Sequence, residues 1–124
     1  MGFFSRTQSK QEQWPGQLLT SEEQLETILA SSFSMPQLIF KHSTRCSISR
    51  FVLNDFTSSY SFSDKDFGAW YLDLLAYRSI SNAIAKQLDV VHESPQLIVI
   101  KNGKVVAHAS HETIGTVMLI DFLD

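Results

Sequence analysis

The chain has 124 residues, 44% of them hydrophobic and 19% charged, with a net charge of -3 and one cysteine. That is enough chain for one domain with its own core, and a lone cysteine excludes an intramolecular disulfide. The mild negative charge without a long basic stretch argues against a nucleic-acid interface, and no apolar run reaches membrane-spanning length.

Residues 1–17 are polar, with Gln8, Gln11, Gln13 and Gln17 and a Pro15-Gly16 break. They read as a flexible N-terminal arm, and residues 18–124 as the domain. The first residues lack the long apolar core of a signal peptide, and Arg6 stands where a myristoylation signal has Ser or Thr. With a lone thiol, which suits a reducing compartment, this predicts a cytoplasmic protein.

Thr20-Ser21-Glu22-Glu23 reads as a helix start, a capping residue followed by carboxylates that suit the positive end of the dipole. Leu25, Ile28 and Leu29 carry the helix to about Ser31. Residues 37–42 form an apolar run of strand type. A polar turn, Ser43-Thr44-Arg45, leads to Cys46, and Ile48, Phe51, Val52 and Phe56 then fall on one helix face. Residues 57–66 read as loop and 69–75 as a strand. Ser79 caps a helix with Ile80, Ala83, Ile84 and Leu88 inward. Residues 97–100 and 105–108 read as strands joined by a hairpin with Asn102-Gly103 at its tip, the favoured pair for a type I′ turn. A last helix is expected over 111–122, with Ile114, Val117 and Met118 facing in. Helix, strand, helix, strand, helix, strand, strand, helix predicts an α/β fold. Its central mixed sheet has about four strands, with helices on both faces. A proline just before the penultimate strand and a hairpin after it make the arrangement thioredoxin-like.

Cys46 is the candidate nucleophile. Only the thiolate attacks a disulfide, and the first turn of a helix favours an anion through unpaired N–H groups and the dipole. Lys41, His42 and Arg45 stand close in sequence and are expected to add positive potential, leaving an activated, partly exposed sulfur. Cys46-Ser47-Ile48-Ser49 has CxxC spacing with serine in the second cysteine's place. Positions i and i+3 share a helix face, so Ser49 is expected to donate to the sulfur. A serine cannot resolve a mixed disulfide, which makes the mechanism monothiol. The plainer alternative is a buried structural cysteine. His42, His92, His108 and His111 show no ligand spacing, and no metal is expected. Trp14, Trp70, Tyr71 and Tyr77 read as packing residues. Asp73 is either a buried carboxylate near the site or a solvent-facing one.

Residues Phe40-Lys41-His42-Ser43-Thr44-Arg45-Cys46-Ser47-Ile48-Ser49, Tyr77-Arg78-Ser79-Ile80-Ser81-Asn82, His92-Glu93-Ser94-Pro95-Gln96 and Ile100-Lys101-Asn102-Gly103-Lys104 resemble the YtxJ-like monothiol bacilliredoxins. The resemblance runs from about residue 18 to 123 and continues through Ser110-His111. It implies a thioredoxin fold and removal of the small thiol bacillithiol from protein mixed disulfides. Cys46 would be the nucleophile and Pro95 a cis-proline, with Ser94 offering main chain to a substrate strand. Thr44, Arg45, Ser47, Ser49, Lys41 and His42 complete the expected site. Many members carry proline after the cysteine; here position 47 is Ser. The implied partners are S-thiolated proteins and a small-thiol reductant, bacillithiol as co-substrate. No bound cofactor, nucleic acid or membrane is expected, and the protein would be a monomer or weak dimer. Two other readings stand beside this one: a peptide-binding adaptor with an idle cysteine, and an iron–sulfur carrier resembling monothiol glutaredoxins.

Overall fold

The computed structural model describes residues 14–123. The elements run β1 (Gln17–Leu18), α1 (Glu22–Ser31), β2 (Gln37–His42), α2 (Ser47–Ser59), β3 (Gly68–Asp73), α3 (Arg78–Leu88), β4 (Gln96–Lys101) and β5 (Lys104–Ser110). Two 3-10 turns, His111–Thr116 and Leu119–Phe122, follow. The sheet order is β1-β3-β2-β4-β5. β1, β3 and β2 run parallel, β4 runs antiparallel to β2, and β5 antiparallel to β4. This is an α/β thioredoxin-like fold with five strands rather than about four. The added strand is β1, two residues too short to leave a periodicity.

Both faces of the sheet are covered. Every residue of β2 is buried, as a strand between two layers requires. Leu38, Phe40, Tyr71, Leu97 and Val99 face α2 and the 3-10 turns. Ile39, Leu72, Ile98 and Ile100 face α1 and α3. Ser21 caps α1: its side chain accepts the Gln24 N–H, and the Gln24 side chain accepts the Ser21 N–H, a reciprocal capping box. Asn102 and Gly103 have φ of 53° and 76°, the left-handed pair that a type I′ turn needs.

Four expectations change. The chain joins the domain before residue 18: Trp14 is buried among Phe40, Phe56 and Tyr71, and its indole N–H donates to the Ala69 carbonyl. Gly16 passes so close to that carbonyl that a Cβ would collide with it. The rest of the expected arm, residues 1–13, lies outside the described residues. Helix α2 runs to Ser59, so the loop begins three residues later than expected. Tyr77, not Ser79, is the N-cap of α3, and no side chain caps it. The last helix is replaced by the two 3-10 turns. Ile114 is buried and Val117 partly so, but Met118 is 61% exposed. Among the described residues, no helix is long and apolar enough to cross a membrane.

Candidate active site at the carboxyl end of β2

The register of the sheet assembles one site from three loops. β2 and β4 pair Lys41 with Gln96 and Phe40 with Leu97. That is the last rung of the pairing; beyond it the chain runs through His42 and Ser43 to Cys46 on one side and back through Pro95 and Ser94 on the other. β4 and β5 pair Gln96 with Ser110, and the His111 N–H donates to the Pro95 carbonyl at 3.0 Å. The turn before Cys46, the Ser94–Pro95 segment and Ser110-His111 therefore meet at one end of the sheet. The Ser94–Pro95 peptide bond is cis.

Cys46 is the N-cap of α2, with φ -105° and ψ 121°, and its side chain is partly exposed. Its N–H donates to Ser43 O and its carbonyl accepts from Arg50 N–H, both at 3.1 Å. No carboxylate occupies the first turn of α2, so that turn itself does not offset the positive end of the dipole. Thr44 and Arg45 are exposed in the turn and Ser47 in the first helical position. Arg50, four residues on, donates from Nη1 to the Thr44 carbonyl at 3.3 Å and ties the turn to the helix. Arg50 is not among the residues that the sequence points to, because its bond to the Thr44 carbonyl depends on the conformation of the turn.

Ser49 does not reach the sulfur. It is buried, accepts the Ser43 N–H at 3.1 Å, and its hydroxyl lies 2.8 Å from His42 Nδ1. The i, i+3 rule holds between two helical residues, and Cys46 has the extended backbone of a cap. His42 faces α2 and packs against the Tyr71 ring at 5.8 Å. Burial, and then the Asp73 carboxylate, push the Tyr71 phenol up, so it stays protonated. Asp73 is half-buried, and its Oδ1 accepts the Leu75 N–H.

Lys41 is on the opposite face from His42, as strand alternation dictates. It is fully buried. Its Nζ lies 2.6 Å from His92 Nδ1 and donates to Gln96 Oε1 at 3.1 Å. Lys41, expected beside the sulfur, is thus aimed away from the α2 face that carries Cys46. Burial pulls its ammonium down from 10.5 to about 8. Between these values the unfolded chain binds the extra proton, so stability rises with pH. Wild type is expected to gain stability relative to Lys41→Met between pH 8 and about 9.5, below the range where tyrosines ionise. Urea midpoints at the two pH values measure it; an unchanged difference would contradict a buried ammonium.

Two further features border the site. Glu93 and His111 face each other, carboxylate to imidazole, at 3.9 Å. Exposed Ile48 and Phe51 border an apolar groove of about 410 Å³, completed by Met118 and Ile120. The sequence placed both on the buried face of α2; that face is Ser49, Val52, Leu53 and Phe56. Among the described residues no three His, Cys, Asp or Glu side chains come together as a metal site.

The family whose model matches the chain, over residues 17–119, is described as monothiol bacilliredoxin BrxC. The chain belongs to the monothiol bacilliredoxins. A solved structure with a thioredoxin fold is 30% identical over 81% of this chain and 86% of its own, with a TM-score of 0.69. The thioredoxin of Malassezia sympodialis is 13% identical over 88% of this chain and 91% of its own, TM-score 0.69. That of Fasciola hepatica is 15% identical over 86% and 98%, TM-score 0.67. These two share the fold. This bacilliredoxin carries Cys46 as the sole cysteine of its 124 residues.

Proposed function

We propose that this bacilliredoxin is a monothiol thiol–disulfide oxidoreductase that removes bacillithiol from S-thiolated proteins through Cys46. The observation that carries the reading is the placement of its only cysteine at the N-cap of α2, at the end of the sheet where the Ser94–Pro95 segment enters β4. The Cys46 thiolate attacks the bacillithiol sulfur of a protein mixed disulfide. A Cys46–bacillithiol disulfide forms, and the protein thiolate leaves and takes a proton from solvent. A second bacillithiol, attacking as its thiolate, then releases the bacillithiol disulfide and restores Cys46. The net exchange consumes one free bacillithiol, which leaves as half of the bacillithiol disulfide while the protein thiol is restored.

The neighbours have supporting roles in this reading. Ser94 offers main chain to the substrate strand, while Thr44, Arg45 and Ser47 form the rim that the substrate meets first. Ser49 and His42 hold the turn from β2 to α2, and Pro95 shapes the facing wall. Arg45, Arg50 and Arg78 all fall at this end of the sheet, which suits anionic groups on either substrate. A cytoplasm that keeps small thiols reduced would house the cycle, with the protein acting as a monomer. The test mixes the reduced protein with a protein carrying one bacillithiol mixed disulfide, without free bacillithiol. The expected intact masses show the bacillithiol adduct moved to Cys46 in one-to-one yield. An unmodified Cys46 with the donor still thiolated would refute the proposal.

A further inference from the structure

Gln96 follows Pro95 and is buried to 1% exposure at the first rung of β4, across from Lys41. Its Oε1 accepts from Lys41 Nζ at 3.1 Å and from the Glu93 N–H at 3.4 Å. Its Nε2 donates to the Val91 carbonyl at 2.9 Å. One amide side chain thus holds two main-chain groups of the loop that leads into Ser94. Lys41 Nζ holds a third point of that loop, His92 Nδ1, at 2.6 Å, and Ser81 of α3 lies 3.3 Å from the same nitrogen. Loop backbone lacks the ladder bonds that fix a strand, so its position depends on such side-chain partners. Burying an ammonium is costly unless it is hydrogen-bonded. Lys41 finds partners in Gln96 and His92, and together these tie loop, α3 and the β2–β4 ladder into one cluster.

We propose that Lys41, Gln96 and His92 form a brace that positions residues 91–94 to receive the substrate's main chain. They are positioning residues that act on protein recognition and not on the sulfur. The proposal rests on the oxidoreductase reading for its kinetic consequence, while its structural half stands without it. A strand added to Ser94 needs that main chain held in place beforehand, because ordering it on binding weakens association. A small reagent attacking Cys46 has no such need.

The test compares wild type with Gln96→Leu, which keeps the bulk and removes all three hydrogen bonds, and with Lys41→Met as a second variant. For a protein carrying one bacillithiol mixed disulfide, KM is expected to rise about tenfold in Gln96→Leu with kcat within twofold. The rate of iodoacetamide alkylation of Cys46 is expected to stay within twofold. Amide hydrogen exchange over residues 91–94 is expected to quicken at least tenfold, with α2 unchanged. Lys41→Met is expected to move the same quantities in the same direction, and it replaces Gln96→Leu if that variant does not fold. An unchanged KM, or alkylation slowing in step with turnover, would overturn the brace. Should wild type itself fail to dethiolate the protein, the oxidoreductase reading falls, and exchange over 91–94 alone decides the brace.

Discussion

Replacing Cys46 with serine should abolish dethiolation while leaving the fold intact. A hydroxyl at neutral pH does not attack a disulfide, so the first bond of the cycle never forms. The loss should be about a thousandfold or more, the scale seen when a reacting nucleophile is removed. The same substitution is mild for stability because of where Cys46 sits. It is the N-cap of α2 and makes no capping hydrogen bond, and serine is among the best capping residues. The serine variant should therefore melt no lower than wild type, by about 0.5–1 kcal/mol at most in its favour. Turnover of a bacillithiolated protein and thermal melting, measured side by side, check both halves. A variant that keeps a tenth of wild-type turnover would remove Cys46 from the chemistry. A variant that is dead but still binds a thiolated protein normally would agree with the oxidoreductase reading, because recognition is assigned to Ser94 and the rim.

Much of this site was legible in the sequence, and its errors have definite causes. The turn 43–45 between an apolar run and a helical face placed Cys46 at a strand-to-helix junction, and the structure has it there. Ser49 was assigned to the sulfur by counting i to i+3, but a cap residue lies off the helical spiral. Lys41 and His42 are both expected from sequence to add positive potential near the sulfur, yet neighbours in a strand point to opposite faces. Alternation alone would have sent Lys41 to the α1 and α3 side with Ile39, where the structure puts it. Gln96, His92 and His111 were hidden for another reason. Their roles depend on the pairing of β2 with β4, strands far apart in the chain, and on a register shift at Val99/Ile100 in the β4–β5 hairpin that the turn alone does not predict.

The fold was legible where periodicity was long and lost where segments were short. Helices α1, α2 and α3 and the four longer strands each repeat their apolar spacing several times. Ile114, Val117 and Met118 match a helical face in spacing. Yet Gly115 and the β-branched residues Thr113, Ile114, Thr116 and Val117 disfavour α-helix, and the chain takes tighter 3-10 turns instead. β1 had nothing to repeat. Its place is set by tertiary packing, in which Leu18 pairs with Tyr71 and the Leu19 N–H donates to the Tyr71 carbonyl at 2.8 Å.

That packing makes Trp14→Ala the most damaging substitution expected outside the site. Trp14 stacks on Phe56 with ring centres 5.8 Å apart and 15° between planes. It also packs at 5.9 Å against both Phe40 and Tyr71. Its indole N–H bonds the Ala69 carbonyl at 3.3 Å. Truncation would remove the buried ring and its hydrogen bond to Ala69, and leave a cavity among three aromatic rings. Losing a buried tryptophan costs about 3–5 kcal/mol, a large share of the roughly 5–15 kcal/mol that holds a domain folded. Phe56 belongs to α2 and Phe40 to β2, the two elements whose junction carries Cys46, so the damage should reach the site. Urea denaturation is expected to show the loss in full. If residues before Gln17 were instead an appendage to the domain, Trp14→Ala would move the urea midpoint no more than a surface change, by about 0.5 kcal/mol. Amide exchange at the amino end of α2 separates the cases further. It should quicken in Trp14→Ala and stay at the wild-type rate in Cys46→Ser.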